Sequence, residues 1–322
     1  MRKLLLGLAA LILLGAFGAT AMLWWGSGPR PGPQMLTVEE GSSVAKVAAQ
    51  LDKIGAIPGT ATSFRAFAKL LGSHDPVQAG EFEIPKGASA ASILDLLQHG
   101  RPMQRLLTIP EGTPSITVQE KLAALPFATG EAPLPGEGSV LPDSYTYERG
   151  EARAAILKRM TGAMDKELAA LWAGRKGDCP VATPAEALTL ASIVEKETGK
   201  AAERRLVAGV YCNRLRIGMK LDADPTVIYP ITKGKPLGRR ILRSELDADN
   251  GYNTYRRAGL PAGPIANPGK ASIAAVLNPA PTKALYFVAD GTGGHVFAET
   301  LEEQNANVVK WFALRRERGE IK

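Results

Sequence analysis

Residues 188–198, which read Leu-Thr-Leu-Ala-Ser-Ile-Val-Glu-Lys-Glu-Thr, contain the carboxyl group best placed for acid–base chemistry. The pattern predicts a helix with Thr183 as N-cap, Pro184 in the first position and Glu186 reaching back to the cap. Residues 187–194 are apolar on nearly every side, so we expect this helix to be buried. Glu195 ends the apolar run, and Glu197 points to roughly the opposite side.

The expected surroundings of Glu195 favour proton transfer. At about 100° per residue, Glu195 lies over Leu188, Ala191 and Ser192, and the small residues leave room beside it. Apolar surroundings disfavour the ionised form of a carboxyl group. A carboxyl that keeps its proton near neutral pH can act as a general acid, for example on a glycosidic oxygen. Alternatively, the helix becomes exposed to water at Glu195, and the carboxylate of Glu195 pairs with Lys196 or a nearby arginine.

Composition excludes several classes of protein. The 322 residues allow two modest domains plus an anchor, and the net charge of +7 is spread along the chain. No basic run is interleaved with aromatic residues, so we expect no nucleic-acid partner. The histidines lie in no metal-ligand spacing, and no phosphate loop or dinucleotide motif is present, so we expect neither metal nor cofactor. A bridge between Cys179 and Cys212 remains open.

The amino terminus predicts a membrane anchor. Arg2 and Lys3 precede an apolar run that ends at Trp24-Trp25, so residues 4–25 have about the length needed to cross a bilayer. The basic flank, residues 1–3, should stay in the cytoplasm, with the tryptophans at the outer interface of the inner membrane. The rest of the chain would then be periplasmic or otherwise extracytoplasmic. The rival is a signal peptide cleaved after residue 21, but the run exceeds the usual 7–15 residues.

A linker (26–35) leads to a first small domain, residues 36–101. Its pattern predicts strands at 36–38 and 80–85 and helices at 44–51, 61–71 and 90–98. The order strand, Gly-Ser, helix occurs twice, which is similar to LysM modules that bind amino-sugar polymers. A spacer without a ligand is the alternative.

Residues 102–322 form the larger, second domain, and the predicted fold class is α+β. The sequence predicts a strand and turn within 105–113, a strand with a polar turn within 137–147, and a loop entering a strand at 221–229. A hairpin is predicted at 285–289 and 295–298. Helices are predicted at 116–125, 152–173, 201–217 and 299–318.

Polar residues outside the Glu195 helix are secondary candidates. Asp143 and Tyr145 fit either a sugar groove or an ordinary surface strand. Asp222 and Asp224 offer a further carboxylate site, although they lack the additional ligands of a metal centre. The loops 252–255 and 259–269 are stiffened by proline and glycine, and they either line a cleft or connect elements.

An ordered set of segments carries a family resemblance. The chain closely resembles the endolytic murein transglycosylases of the YceG-like (MltG) family. The resemblance rests on 192–198 (SIVEKET), 213–218 (NRLRIG), 224–229 (DPTVIY), 252–255 (YNTY), 259–269 and 290–297 (DGTGGHVF). The segment 137–145, the anchor and the small first domain also match. Pro230 departs from the family, which commonly has a glycine-rich turn there.

The resemblance implies a lytic transglycosylase. Such an enzyme cuts nascent peptidoglycan between N-acetylmuramic acid (MurNAc) and N-acetylglucosamine (GlcNAc), leaves a 1,6-anhydro-MurNAc end, and limits strand length beside peptidoglycan synthases. The family's catalytic glutamate falls on Glu195. One carboxyl suffices because the sugar's own 6-hydroxyl is the nucleophile. Candidate substrate-binding residues are Ser192, Asp143, Tyr145, Asp224, Tyr252 and Asn253.

Two other functions stay open. The chain could be a membrane-anchored scaffold that binds the wall and recruits synthases without chemistry. It could also be a lysozyme-type hydrolase, in which Glu195 works with Asp222 or Asp224 across the scissile bond.

Overall fold

The computed structural model describes residues 2–29 and 32–321, which divide into two compact units. Unit 1 comprises residues 1–105 and 146–151, and unit 2 comprises 106–145 and 152–322. Part of the predicted cytoplasmic tip (Met1) and part of the linker (Arg30, Pro31) lie outside the described residues, as does Lys322. Helices and small antiparallel sheets occur together, which confirms the α+β class.

Unit 1 matches the predicted elements closely. Strands β1 (Gln34–Val38) and β2 (Gly80–Ile84) pair antiparallel, with Leu36 opposite Phe82. Ser43, Thr60 and Ser89 each cap a helix by accepting a backbone N–H bond. Its elements are α1 (Arg2–Trp25), β1 (Gln34–Val38), α2 (Val44–Lys53), α3 (Ala61–Leu71), β2 (Gly80–Ile84) and α4 (Ala90–His99).

Helix α1 is long and apolar enough to cross a membrane over Leu6–Trp25, with a mean hydropathy of 2.2. This finding suggests a membrane anchor. One part of the prediction is wrong, because the two tryptophans do not share an interfacial position. Trp24 is 2% exposed and lies in the core of unit 1, 5.9 Å from the ring of Phe64, whereas Trp25 is 56% exposed.

In unit 2 the buried helix α7 (Pro184–Glu197) packs against α6 (Arg153–Ala173), α8 (Arg204–Arg216), α9 (Asp224–Thr232) and α11 (Lys270–Leu277). Leu190 and Ile193 of α7 form the core with Tyr211 of α8 and Val276 of α11. The remaining elements of the chain are β3 (Arg105–Thr108), α5 (Ser115–Ala123), β4 (Ser144–Tyr147), α10 (Arg243–Leu246), β5 (Tyr286–Ala289), β6 (His295–Ala298) and α12 (Leu301–Glu317).

The strand predicted within 221–229 is wrong, because this segment forms helix α9. Its β-branched run resembles a strand, but Pro225 lies in the first helical turn, where the missing proline N–H is not needed. Ala223 is the extended N-cap, and Thr226 and Val227 are buried. Pro230, which departs from the family pattern, therefore lies inside a helix.

Cys179 and Cys212 form a disulfide. The bridge joins the segment before α7 to the buried side of α8, where Cys212 is 1% exposed. It therefore fastens two elements of the core around α7.

Candidate active site

The predicted start of α7 is confirmed in its main features. The Thr183 hydroxyl accepts a bond from the Glu186 amide at 3.2 Å, and Pro184 occupies the first turn. The Glu186 carboxylate accepts from the Ala182 amide at 2.6 Å, one residue before the cap. Residues 187 and 189–194 are buried, so the helix holds the side chain of Glu195 on a rigid support.

Two stretches of backbone approach the Glu195 side chain. The Gly269 amide donates to Glu195 Oε2 at 2.9 Å. A Cβ placed on Gly112 would lie 3.4 Å from Glu195 Cγ. The side chain of Glu195 is 6% exposed. The expected shielding from water is thus present, although it comes from backbone as well as from apolar side chains.

Arg204 and Glu111 complete the surroundings of Glu195. Arg204 Nη2 lies 3.6 Å from Glu195 Oε1 and 3.5 Å from Glu111 Oε2. The side chain of Arg204 is 12% exposed and that of Glu111 is 47% exposed. Lys196 Nζ approaches the Gly112 carbonyl at 3.5 Å. Glu195 is therefore both shielded and close to an arginine, so the structure contains features of both readings drawn from the sequence.

Asn267, which sequence reasoning missed, connects the loops around α7. Its side chain accepts from the Val140 amide at 2.9 Å and donates to the Thr113 carbonyl at 2.8 Å. It is fully buried. The signal in the sequence was the Asn-Pro-Gly turn within 259–269, which brings a polar side chain into a loop predicted only to be stiff.

An aromatic and acidic cluster lies beside the same loops. The Glu137 carboxylate accepts from the Ser115 amide at 2.9 Å, and burial raises the pKa of Glu137 above its usual value. The Tyr229 hydroxyl interacts with Glu137, and the rings of Tyr229 and Tyr252 are 4.9 Å apart. A Cβ on Gly138 would meet Leu188 of α7, on the face that carries Glu195.

Four predicted substrate-binding residues are engaged in bonds within the protein. The exposed Asp143 accepts from the Ser144 amide at 2.7 Å. Tyr145 donates to the Leu141 carbonyl at 2.6 Å, and burial raises the pKa of Tyr145 to about 12. Asn253 is 1% exposed, and its amide donates to three backbone carbonyls of residues 245–248. Asp224 accepts from the Tyr255 hydroxyl at 2.7 Å.

The Ser192 hydroxyl is also engaged in hydrogen bonds within the protein. It is 0% exposed, donates to the Thr189 carbonyl at 2.7 Å and accepts from the Ile265 amide at 3.0 Å. Among the candidate binding residues, Ser192 lies on α7 itself, and Tyr252 packs against the core cluster that includes α7.

Glu197 occupies a different environment on the far side of α7. Burial raises the pKa of Glu197 to about 7, and the nearby charge of Asp224 acts in the same direction. A hydrogen bond with Tyr211 and the charge of Arg214 oppose the shift. The structure thus couples Asp224 electrostatically to Glu197. Asp222 lies 3.6 Å from Arg214, so it too belongs to this side.

The chain combines an apolar N-terminal helix with an α+β fold. Its shielded Glu195 is hydrogen-bonded to Gly269, in a loop rich in proline and glycine. The model of the YceG-like family matches residues 36–310, which is most of the chain. This protein belongs to the YceG-like family.

Individual relatives agree with that membership. The chain is 30% identical over 323 residues to the endolytic murein transglycosylase of Streptococcus pneumoniae serotype 2, covering 85% of this chain and 57% of that protein. It is 43% identical over 131 residues to the endolytic murein transglycosylase of Bacillus subtilis strain 168, covering 41% of this chain and 36% of that protein. The chain therefore spans 57% of the first relative and 36% of the second.

A solved structure shares the fold. The crystal structure of a YceG-like protein from Listeria monocytogenes matches with a TM-score of 0.53 and 26% sequence identity. The match covers 85% of this chain and 98% of that chain. The similarity therefore extends over both units.

Proposed function

We propose that this protein is an endolytic lytic transglycosylase of peptidoglycan. It cleaves the MurNAc–GlcNAc bond of nascent strands, leaves a 1,6-anhydro-MurNAc end and uses Glu195 as general acid and then base. Two relatives bear the name endolytic murein transglycosylase, which supports the substrate class. The observation that carries the proposal is the position of Glu195, shielded on a rigid helix and bonded to the Gly269 amide.

The reaction needs one carboxyl group, which fits the observed arrangement. The protonated Glu195 gives its proton to the glycosidic oxygen as the bond from C1 of MurNAc breaks. The resulting carboxylate then takes the proton of the 6-hydroxyl while that oxygen attacks C1. The proton count is conserved, and no water is consumed. Arg204 and the Gly269 amide stabilise the carboxylate between the two steps.

A two-carboxylate hydrolase is less well supported. Such enzymes place a second carboxyl about 5–9.5 Å from the acid, across the bond. Asp222 pairs with Arg214, and Asp224 bonds Tyr255 and influences Glu197. Glu111 lies near Glu195, and both carboxylates contact the Arg204 guanidinium.

The neighbouring tyrosines supply a surface for sugar. Tyr229 and Tyr252 lie with their ring centroids 4.9 Å apart, and both are part-buried. Aromatic faces pack against the apolar faces of sugar rings. We propose that Tyr252 contacts the glycan, whereas Asn253, Asp224, Asp143 and Tyr145 hold their own segments in place through the bonds described above.

The apolar helix α1 and the disulfide support a proposed location outside the cytoplasm. We propose that α1 spans the inner membrane with its basic end in the cytoplasm, and that unit 2 lies in the periplasm next to peptidoglycan synthases. The bridge between Cys179 and Cys212 supports an oxidising compartment. Unit 1 is proposed as a LysM-like module that binds glycan. If the mature protein began at Met22, the anchor would be wrong.

Glu195→Gln, with Glu197→Gln as the matched control, tests the proposal. We expect Glu195→Gln to lower the release of anhydro-MurNAc ends from glycan strands by about 10²–10⁴-fold, while Glu197→Gln retains most activity. A thermal unfolding transition for each variant should establish that both are folded. Near-normal release by Glu195→Gln would overturn the assignment. New reducing ends from the wild type would indicate a hydrolase, and unchanged sacculi would indicate a scaffold.

A further inference from the structure

Two carboxylates share one guanidinium at the candidate site. Arg204 Nη2 is 3.6 Å from Glu195 and 3.5 Å from Glu111, so neither carboxylate has the arginine to itself. With both carboxylates ionised the trio has a formal charge of −1, and one added proton makes it neutral. Glu195 is 6% exposed and Glu111 is 47% exposed, so solvent reaches the trio mainly at Glu111.

Backbone hydrogen bonds fix the position of the turn that carries Glu111. The Gly112 amide donates to the Asn267 carbonyl at 2.9 Å, and the Asn267 amide donates to the Thr113 carbonyl at 3.2 Å. The Thr113 hydroxyl closes the turn onto the Pro110 carbonyl at 2.6 Å. These bonds hold the turn of Glu111 against the same loop that contacts Glu195.

An ion pair between Arg204 and Glu195 alone would oppose the role of Glu195 as a general acid. An arginine near a single carboxylate favours its charged form, which cannot donate a proton. A second carboxylate at a similar distance from the arginine offsets that effect. From this geometry we infer that Glu111 is a positioning residue that shares Arg204 with Glu195 and so keeps Glu195 able to hold its proton. The inference rests on the proposed role of Glu195.

Other charged groups near Glu195 are engaged elsewhere. Lys196, which follows it on α7, approaches the Gly112 carbonyl at 3.5 Å. Lys270, at the start of α11, lies 2.8 Å from Glu167. Within residues 2–29 and 32–321, Arg204 from α8 and Glu111 from the turn at 110–113 are therefore the charges that we assign to this balance.

The pH dependence of kcat is the readout, measured with the full chain on glycan strands. In Glu111→Gln the arginine is left to Glu195 alone. The alkaline side of the pH profile should move to lower pH, so that activity near pH 8 falls several-fold. Glu111→Asp should restore the profile in part. Glu120→Gln, an exposed carboxylate paired with Lys235, should leave it unchanged.

Gly269→Ala provides a second test that keeps every charge. Its backbone φ of −73° accepts alanine, but the added Cβ would lie 1.9 Å from Glu111 Oε1 and push that flexible side chain aside. We expect a smaller shift in the same direction. If both Glu111→Gln and Gly269→Ala keep the wild-type profile, or shift it to higher pH, the inference is wrong. If Glu195→Gln is inactive and Glu111→Gln keeps the wild-type pH profile, only this inference is wrong. An active Glu195→Gln overturns the proposed function itself.

Discussion

The Ser192 hydroxyl accepts the backbone N–H of Ile265 at 3.0 Å in a fully buried position. Ser192 precedes Glu195 by three residues, nearly one helical turn, so the two side chains lie on neighbouring parts of one face. The bond fastens the proline- and glycine-rich loop to α7 just before that loop reaches Glu195 through Gly269. A small polar side chain in the candidate site therefore positions the loop.

Ser192→Ala should loosen this attachment. The Ile265 amide would keep its place in the interior without an acceptor, at a cost of about 1–3 kcal/mol in the free energy of unfolding. We expect a lower Tm and a lower kcat, because the Gly269 amide would no longer be held against Glu195. Thr161→Ala is the control, since its hydroxyl donates to the Lys158 carbonyl on a more exposed helix. Equal Tm values for the two variants would contradict this role.

Glu197 should make the stability of the protein depend on pH. Its pKa is raised from 4.5 to about 7 in the folded state, so between these values the folded chain holds a proton that the unfolded chain has lost. Stability therefore falls as pH rises from about 4.5 to 7 and stays lower above that, by roughly 2–4 kcal/mol.

The Glu197→Gln variant isolates that contribution. The amide oxygen of glutamine can still accept from Tyr211, and glutamine does not titrate. Thermal unfolding from pH 4 to pH 8.5 should show a Tm that declines less in the variant than in the wild type. Parallel curves would show that Glu197 does not carry a raised pKa.

The sequence predicted local structure well where pattern and capping agreed. Helix α3 has the predicted bounds, and α7 begins at the Thr183-Pro184 signal. The hairpin β5–β6 also lies where its glycine-rich turn indicated. Helix α9 differs from the predicted strand: its β-branched residues are typical of a strand, but Pro225 occupies the first helical turn after the extended N-cap Ala223.

The candidate site was less accessible to sequence reasoning. The helical pattern showed that Glu195 and Glu197 diverge, which the structure bears out in their separate contacts. It could not show that Glu111, 84 positions earlier, reaches the same arginine. Contacts between distant loops depend on tertiary packing, and the spacing of residues along one element contains no information about them. Asn253 was a candidate for substrate binding because it is a polar residue in a loop. In the structure it is buried, and its side-chain amide donates to backbone carbonyls.

Trp24 should contribute strongly to the stability of unit 1. Its ring packs 5.9 Å from Phe64 and 6.2 Å from Phe67 at 2% exposure. Trp24→Ala should cost about 3–5 kcal/mol, because it removes a large buried side chain and leaves a cavity. Trp25→Ala is the matched control, since Trp25 is 56% exposed. Limited proteolysis of the membrane-bound chain should cut unit 1 faster in the first variant only, and similar rates would contradict the buried position.

The Cys179–Cys212 disulfide should stabilise the frame of α7. It closes a loop over a separation of 33 residues, which predicts a loss of about 3–4 kcal/mol when the bridge is removed. We expect dithiothreitol to lower the Tm and the rate of glycan cleavage by the wild type. The double variant with alanine at both positions should begin at that lower Tm and should not respond to the reductant. An unchanged Tm of the wild type in reductant, with free thiols detected by alkylation, would show that the bridge contributes little to stability. Detection of both thiols before any reductant is added would show that the bridge does not form.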